Sequence, residues 1–113
     1  MMIEKTVLDY LNNALSVDCF MEMPEGTPDS SFIVIEKTGS DTTNFINKST
    51  IAVQSYARTL YEAALLNDDV KATMEALTQL PSVSRCDLNS DYNFTDTAMR
   101  IYRYQAVFDI THY

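Results

Sequence analysis

The sequence predicts an α+β protein in which two helices pack on one face of an antiparallel β-sheet. Apolar residues recur at three- and four-residue steps in two segments, whereas other segments alternate between apolar and polar residues as strands do. The predicted order is α-β-β-β-α-β-β, which lacks the regular strand–helix alternation of a parallel sheet. The chain of 113 residues has the length of a single domain, residues 1–113.

The first helix and the first two strands are predicted in the N-terminal third of the chain. An amphipathic helix is expected over residues 3–15, where apolar side chains recur at helical spacing. A brief strand at residues 19–23 and a turn-rich stretch at residues 24–29 follow it. Residues 31–38 are rich in β-branched side chains, which predicts a strand covered on both faces. The apolar residues of the predicted helix are Ile3, Val7, Leu11, Ala14 and Leu15.

The central part of the chain passes from a polar segment through a strand into a long helix. Residues 39–44 are polar, and we expect an exposed loop or hairpin tip there. Residues 45–56 alternate, with Ile51, Val53 and Ser55 on one face and Thr50, Ala52, Gln54 and Tyr56 on the other. Thr59 and Glu62 then fit a capping box, and Pro81 stops the helix. Its apolar stripe comprises Ala63, Leu66, Val70, Met74 and Leu77.

Two further strands are predicted at the C-terminal end. Residues 83–92 alternate in part, and residues 93–96 are a plausible turn. The last strand alternates clearly, apart from Val107. One face of it carries Tyr102, Tyr104, Ala106, Phe108 and Ile110, and the other carries Arg103, Gln105, Asp109 and Thr111.

The charge balance is strongly acidic. The chain has 16 acidic and 8 basic residues, a formal net charge of −8. Binding to nucleic acid needs clustered Lys and Arg to neutralise phosphates, so specific nucleic-acid binding is not expected. An acidic surface also keeps a small domain soluble, and this simpler interpretation stays open.

The cysteines and the N-terminal sequence indicate a protein made inside the cell. Cys19 and Cys86 could form one disulfide, yet their spacing matches neither a metal site nor a CxxC pair. The first residues lack the basic segment and apolar run of a signal peptide, and no apolar stretch reaches membrane-spanning length. We therefore expect reduced, buried thiols and no membrane partner.

The residues most often used in catalysis and metal binding form no convincing site. His112 is the only histidine, and we expect it to be an exposed polar residue at a strand end. Residues 87–93 place oxygen side chains at alternate positions, as the first half of a calcium loop does. Tyr92 stands where that loop needs glycine, and Ala98 where it needs an acid, so the wet face of a strand is the better interpretation. We predict no catalytic, metal or cofactor site.

Tyrosine is abundant near the end of the chain. Seven tyrosines accompany no tryptophan, and Tyr92, Tyr102, Tyr104 and Tyr113 lie in or beside the final strands. Tyrosine is favoured at protein interfaces because it combines apolar area with a polar tip. It is also a good strand residue, so the tyrosines could simply line the sheet.

Five stretches of the sequence share a likeness to one known group of proteins. They are the strand-to-helix passage IAVQSYA at residues 51–57 and LYEAA at residues 60–64, LNSDYNFTD at residues 88–96, YRYQAVFDI at residues 102–110 and the opening MIEKTVLDYL at residues 2–11. These stretches resemble the tail-component proteins of siphophages and prophages of Gram-positive bacteria. The likeness covers nearly the whole chain and contains no catalytic signature.

The resemblance implies a tail-terminator, or tail-completion, protein with an α+β fold. Such proteins form hexameric rings that cap the tail tube, stop its growth and offer a surface to the head connector. The implied partners are copies of the chain, the major tail tube protein and the head–tail connector, with DNA passing through the ring without specific binding. The implied location is the virion tail, after synthesis in the host cytoplasm. The candidate contact residues are Lys37, Asp41, Asn44, Lys48, Tyr102 and Tyr104.

Three alternatives remain open at the level of sequence. Within phage, the chain could be a head–tail connector, that is, a stopper or neck protein. Outside phage, it could be a monomeric module that binds a ligand with a tyrosine-rich sheet face. An enzyme, such as a metal-assisted hydrolase that uses Asp87, Asp91 and His112, is the weakest of the three.

Overall fold

The computed structural model describes residues 2–26 and 30–113, and in them it confirms the predicted α+β fold and the order of elements. The helices are α1 (Ile3–Ala14) and α2 (Leu60–Glu75), followed by a 3-10 helix (Ala76–Gln79). The strands are β1 (Asp18–Phe20), β2 (Phe32–Thr43), β3 (Ile46–Ala57), β4 (Val83–Asn93) and β5 (Tyr102–His112). Part of the turn predicted at residues 24–29, namely residues 27–29, lies outside the described residues.

The five strands form one sheet in the order β1-β2-β3-β5-β4. Antiparallel pairs join β2 to β3, β3 to β5 and β5 to β4. The short β1 is the exception, because it runs parallel to β2 with Asp18 opposite Phe32. Parallel neighbours need a connection that returns to the same end of the sheet. The edges of the sheet are therefore β1 and β4.

Both helices pack on the same face of the sheet, as predicted. Ile35, Ile51 and Phe108 belong to the same buried cluster as the helix residues. Each such side chain contributes roughly 1.5–3 kcal/mol by leaving water. The helix residues in the cluster are Ile3, Val7, Leu11, Leu66, Val70, Met74 and, from the 3-10 turn, Leu77. The helical periodicities thus identified most of the core-facing side chains, but Ala14 is exposed and Leu15 lies beyond the end of α1, so the predicted stripe was wrong at its C-terminal end.

The ends of α2 have clear local causes. The Thr59 hydroxyl accepts a hydrogen bond from the backbone N–H of Glu62 at 3.1 Å, which is the first half of the predicted capping box. The α-helix ends at Glu75, earlier than Pro81 suggested, because the chain tightens into a 3-10 turn. That turn keeps Leu77 in the core, which is why the apolar period continued past the end of the α-helix.

The polar segment at residues 39–44 is exposed and ends a hairpin, as one of the two predicted alternatives had it, but most of it is strand and not loop. β2 continues through Thr43, which is paired with Ile46, and the turn consists of Asn44 and Phe45. A register shift between Lys37 and Gly39 marks a bulge at Thr38. Polar side chains fit a strand wherever both faces meet solvent, so the composition indicated exposure and not a loop.

His112 also differs from its prediction. The side chain is buried, with 5% of its surface exposed, and its Nε2 lies 2.9 Å from the hydroxyl oxygen of Ser49. β5 is an inner strand, so His112 is paired with Asn47 on one side and with Val83 on the other. A neighbouring strand on each side keeps this strand end in place, where the sequence suggested fraying.

Candidate functional site

The β2–β3 hairpin ends in an exposed segment, residues 39–48, which we call the hairpin arm. All of its residues except Asn47 are exposed. Three predicted contact residues, Asp41, Asn44 and Lys48, lie on it, and Asp41 is paired with Lys48 across the two strands. The Thr42 hydroxyl donates a 2.7 Å hydrogen bond to the side-chain oxygen of Asn47. The arm is therefore an ordered polar hairpin.

Lys37, the fourth candidate from this region, lies just before the arm. In register it faces the helix side of the sheet, opposite Ile51. Its Nζ is 3.7 Å from a carboxylate oxygen of Glu4 in α1. Partly exposed ion pairs of this kind contribute about 1 kcal/mol or less. Lys37 thus links the base of the arm to the first helix.

The tip of the arm carries an unusual residue that the sequence reasoning missed. Asn44 and Phe45 have φ angles of +53° and +65°, the pattern of a two-residue type I′ turn. Asparagine tolerates this left-handed conformation, but for most side chains it costs about 1–2 kcal/mol. The Phe45 side chain is also 95% exposed. The sequence does offer one signal for this exposed residue, because it is an aromatic residue directly after the polar segment.

The sheet face opposite the helices is polar near the hairpin arm. The Asp109 carboxylate accepts hydrogen bonds from the Thr50 hydroxyl and from the Asn89 amide, both at 2.9 Å. Asp87 lies directly opposite Asp109 and forms a 2.6 Å ion pair with Arg85. These groups satisfy one another at an exposed surface, so the patch behaves as ordinary solvated sheet.

The other end of the same face is aromatic. The rings of Phe32 and Tyr56 stack with centroids 4.7 Å apart, and both side chains are buried. The guanidinium of Arg103 lies 4.4 Å from the centroid of the Phe94 ring and donates a 3.2 Å hydrogen bond to the Tyr56 hydroxyl. Cation–π contacts of this kind add about 0.5–2 kcal/mol. A rigid aromatic cluster therefore forms this end of the sheet.

A cavity of about 390 Å³, which we call the end pocket, opens beside the aromatic cluster. It lies where β2 begins and where β3 ends, at the opposite end of β2 from the hairpin tip. Tyr102, a predicted contact residue, lines it, whereas Tyr104 lies farther along β5, half-buried and paired with Ser55. The predicted contact residues therefore divide between the two ends of the sheet. The main lining residues are Met23, Phe32, Tyr56, Arg58, Arg100 and Ile101.

The three residues of the hydrolase alternative do not converge. Asp87 lies on the helix-free face, whereas Asp91 and His112 lie on the helix side. The Asp91 carboxylate accepts hydrogen bonds of 2.6 Å from the Asn67 amide and from Lys71 Nζ. The hydrogen bond to Asp91 raises the pKa of Lys71 above its ordinary value. Asp91 therefore ties β4 to α2; it is exposed, as predicted, but it lies on the helix side of the sheet and not on the same face as Asp87.

The two cysteines are free thiols. Burial raises the pKa of Cys19 to about 11, and the nearby Asp18 carboxylate adds to this. Burial also raises the pKa of Cys86 to about 11, with contributions from Asp87 and Asp109. Both thiols are protonated at neutral pH, which makes them poor nucleophiles and poor metal ligands. Within residues 2–26 and 30–113, no three His, Cys, Asp or Glu side chains are placed to hold a metal ion together.

The sequence matches no protein-family model and no curated protein. Across the described part of the chain, neither helix has the length and apolar character that a membrane crossing requires.

Proposed function

We propose that this protein is a structural component of a bacteriophage tail, a tail terminator whose copies form a ring that ends the growth of the tail tube. The sequence resemblance described above motivates the proposal. The structural observation that supports it is that the chain presents two different surfaces, the hairpin arm and the end pocket, at opposite ends of one sheet. A ring of identical subunits needs two such unlike surfaces, which meet head to tail.

The edges of the sheet offer a second kind of contact. β4 is an edge strand of 11 residues, and Leu88 and Tyr92 on it are 50% and 41% exposed. Exposed strand edges can bind a neighbouring chain through backbone hydrogen bonds. A tail tube protein or a connector protein could use this edge without occupying the contact between ring subunits.

The distribution of charge suggests which side of the subunit lines the passage for DNA. Helices α1 and α2 together carry six acidic residues and two lysines. A ring with the helices turned inward would have an acidic wall, and such a wall repels the phosphates of passing DNA. We therefore place the helical layer on the inner side. A ring structure with an inner wall rich in Lys and Arg would contradict this orientation.

Loss of the protein in its own phage tests the proposed function. Because a terminator caps the tube, we expect tails assembled without it to contain overlong tubes in electron micrographs. Supplying the wild-type gene in trans should restore tails of uniform length. Tails of normal length that fail to join heads would instead identify a connector, and normal infectious particles would rule out both roles.

The end pocket favours one rival function, a monomeric binding module. Its apolar floor and the arginines Arg58 and Arg100 would suit an acidic peptide with an apolar side chain. Sedimentation of the purified chain over a wide concentration range separates the two ideas. A chain that stays monomeric even when mixed with tail tubes of its own phage would favour the module.

A further inference from the structure

Phe45 at the tip of the hairpin arm is not part of the buried core of its own chain. Its ring is 95% exposed, and its φ of +65° is a conformation that glycine adopts far more readily. A large apolar side chain kept in a strained, fully exposed position points to a use outside the isolated subunit. The exposed tip is therefore one half of a candidate contact.

The end pocket has the size and chemistry to receive an aromatic ring. Its volume is about 390 Å³, whereas an apolar cavity of roughly 150 Å³ is enough to hold benzene. Phe32, Tyr56 and Ile101 supply apolar and aromatic walls. Arg58 and Arg100 are also part of the lining, and a guanidinium stacks favourably on an aromatic face.

The geometry of β2 prevents Phe45 from reaching the pocket of its own chain. The pocket lies at Phe32, where β2 begins, and the tip follows Thr43, where β2 ends. Eleven residue steps of a strand separate these points by roughly 35 Å. The tip and the pocket can therefore meet only between two copies of the chain.

The charges of the two regions do not oppose such a contact. Three of the four arginines in the chain, Arg58, Arg100 and Arg103, lie at the pocket end. Within the described residues, none of the three forms a salt bridge. The rest of the chain is strongly acidic, with a net charge of −8 overall. The hairpin arm that would approach these arginines carries one acidic residue, Asp41, and one basic residue, Lys48, so it brings no net positive charge towards them.

We infer that Phe45 of one copy inserts into the end pocket of the next copy, so that each subunit uses its tip on one side and its pocket on the other. The inference rests on the proposed ring and names the contact that would build it. Because the two surfaces differ, the contact is head to tail and generates a closed ring or an open filament. Phe45 is the anchor residue of this interface.

Replacement of Phe45 by glycine separates assembly from folding. Glycine is at ease at positive φ, so Phe45→Gly should fold at least as stably as the wild type. An aromatic anchor buried at an interface is a typical hot spot, so self-association should weaken by at least about 30-fold in sedimentation. The matched control is Tyr61→Ala on α2, which removes a ring that is 73% exposed and should leave self-association unchanged. Equal self-association of Phe45→Gly and wild type would overturn the inference.

A photo-cross-linking amino acid at position 45 tests where the tip docks. With p-benzoylphenylalanine in place of Phe45, irradiation of the full chain should yield dimers in which position 45 is joined to residues 56–58 or 100–102. Cross-links to another tip or to β4, or no dimer at any concentration, would overturn the contact. The same probe at Tyr61 should give no pocket adducts. If the copies form a ring but position 45 cross-links elsewhere, this contact is wrong and the terminator function stands. If position 45 cross-links to the pocket but loss of the protein leaves tail length unchanged, the contact stands and the terminator function is wrong.

Discussion

At the scale of single residues, two buried serines differ in whether their hydroxyl groups have a hydrogen-bond partner. Ser55 is fully buried on the helix side of β3, and its hydroxyl has no hydrogen-bond partner among the described residues. Ser49, on the same face of the same strand, is also buried, but its hydroxyl meets His112 at 2.9 Å. A buried polar group without a partner costs about 1–3 kcal/mol. The two serines therefore have opposite expected effects on stability.

Ser55→Ala should raise the free energy of unfolding by about 1 kcal/mol, since it removes an unpaired hydroxyl from the core. The expected rise in Tm is about 4 °C for a domain of this size. Ser49→Ala is the matched control and should lower stability, because it leaves the buried His112 ring without this partner. Urea unfolding of both variants checks the pair. A destabilised Ser55→Ala protein would mean that the hydroxyl is hydrogen-bonded.

Cys19 makes stability depend on pH in the alkaline range. The pKa of the folded thiol, about 11, lies above its ordinary value, so the folded state holds its proton more tightly than the unfolded state. The resulting contribution to the free energy of unfolding is fully present below the pKa of the thiol in the unfolded state, near 9. It is lost as the pH rises through the pKa of the folded state, about 11. The loss is on the order of 3 kcal/mol.

Between pH 9 and pH 11, the free energy of unfolding of Cys19→Ala should therefore fall less steeply than that of the wild type. Urea unfolding under reducing conditions measures both. Val83→Ala is the control, because it removes buried apolar volume without a titrating group. It should lower stability by a similar amount at every pH. Equal slopes for Cys19→Ala and wild type would show that this thiol titrates normally.

At the scale of elements, a bulge in β4 decides which side chains face the helices. The pairing of β4 with β5 shifts between Leu88 and Ser90, so Asn89 is the extra residue. Strict alternation would have placed Asp91 on the same face as Asp87. After the shift, Asp91 points to α2, where it binds Asn67 and Lys71. One inserted residue thus connects the edge strand to the helical layer.

Asp91→Ala should lower the free energy of unfolding by about 1–3 kcal/mol, because it leaves the buried Asn67 amide and the Lys71 ammonium without their shared acceptor. Asp87→Ala is the matched control on the same strand. Its ion pair with Arg85 is exposed, so its removal should cost about 0.5 kcal/mol or less. Thermal unfolding of the two variants measures the difference. Similar losses for both would contradict the assigned role of the bulge.

At the scale of the whole molecule, the described residues span 45 Å along the longest axis and 25 Å along each of the other two. Helices cover one face of the sheet, and the hairpin arm and the end pocket lie near its two ends. A subunit of this shape presents its two candidate contacts in opposite directions. The proposed ring and the Phe45 contact both follow from that separation, and the tail-length and cross-linking experiments test them independently.

Much of the fold could be predicted because periodicity depends on residues close in sequence. The stripe of Ile3, Val7 and Leu11 and the alternation of Ile51 and Val53 identified helix and strand faces that the structure confirms. Most of the candidate contact residues were inferred from predicted exposure alone. Exposure around the polar segment indicated Asp41, Asn44 and Lys48, but Phe45 beside them was assigned to a strand. Whether these residues bind a partner stays a prediction.

By itself, the sequence determined the helices, most strands and the buried face of each, since neighbours two to four positions apart decide which side chains can share a face. Tertiary structure alone decided the parallel pairing of β1, the burial of His112 and the bulge that redirects Asp91. It also assembled the end pocket from Met23, Tyr56 and Ile101, which lie far apart in the chain. These features depend on which strands become neighbours, and that choice is made by packing over long sequence distances, where local patterns carry no signal.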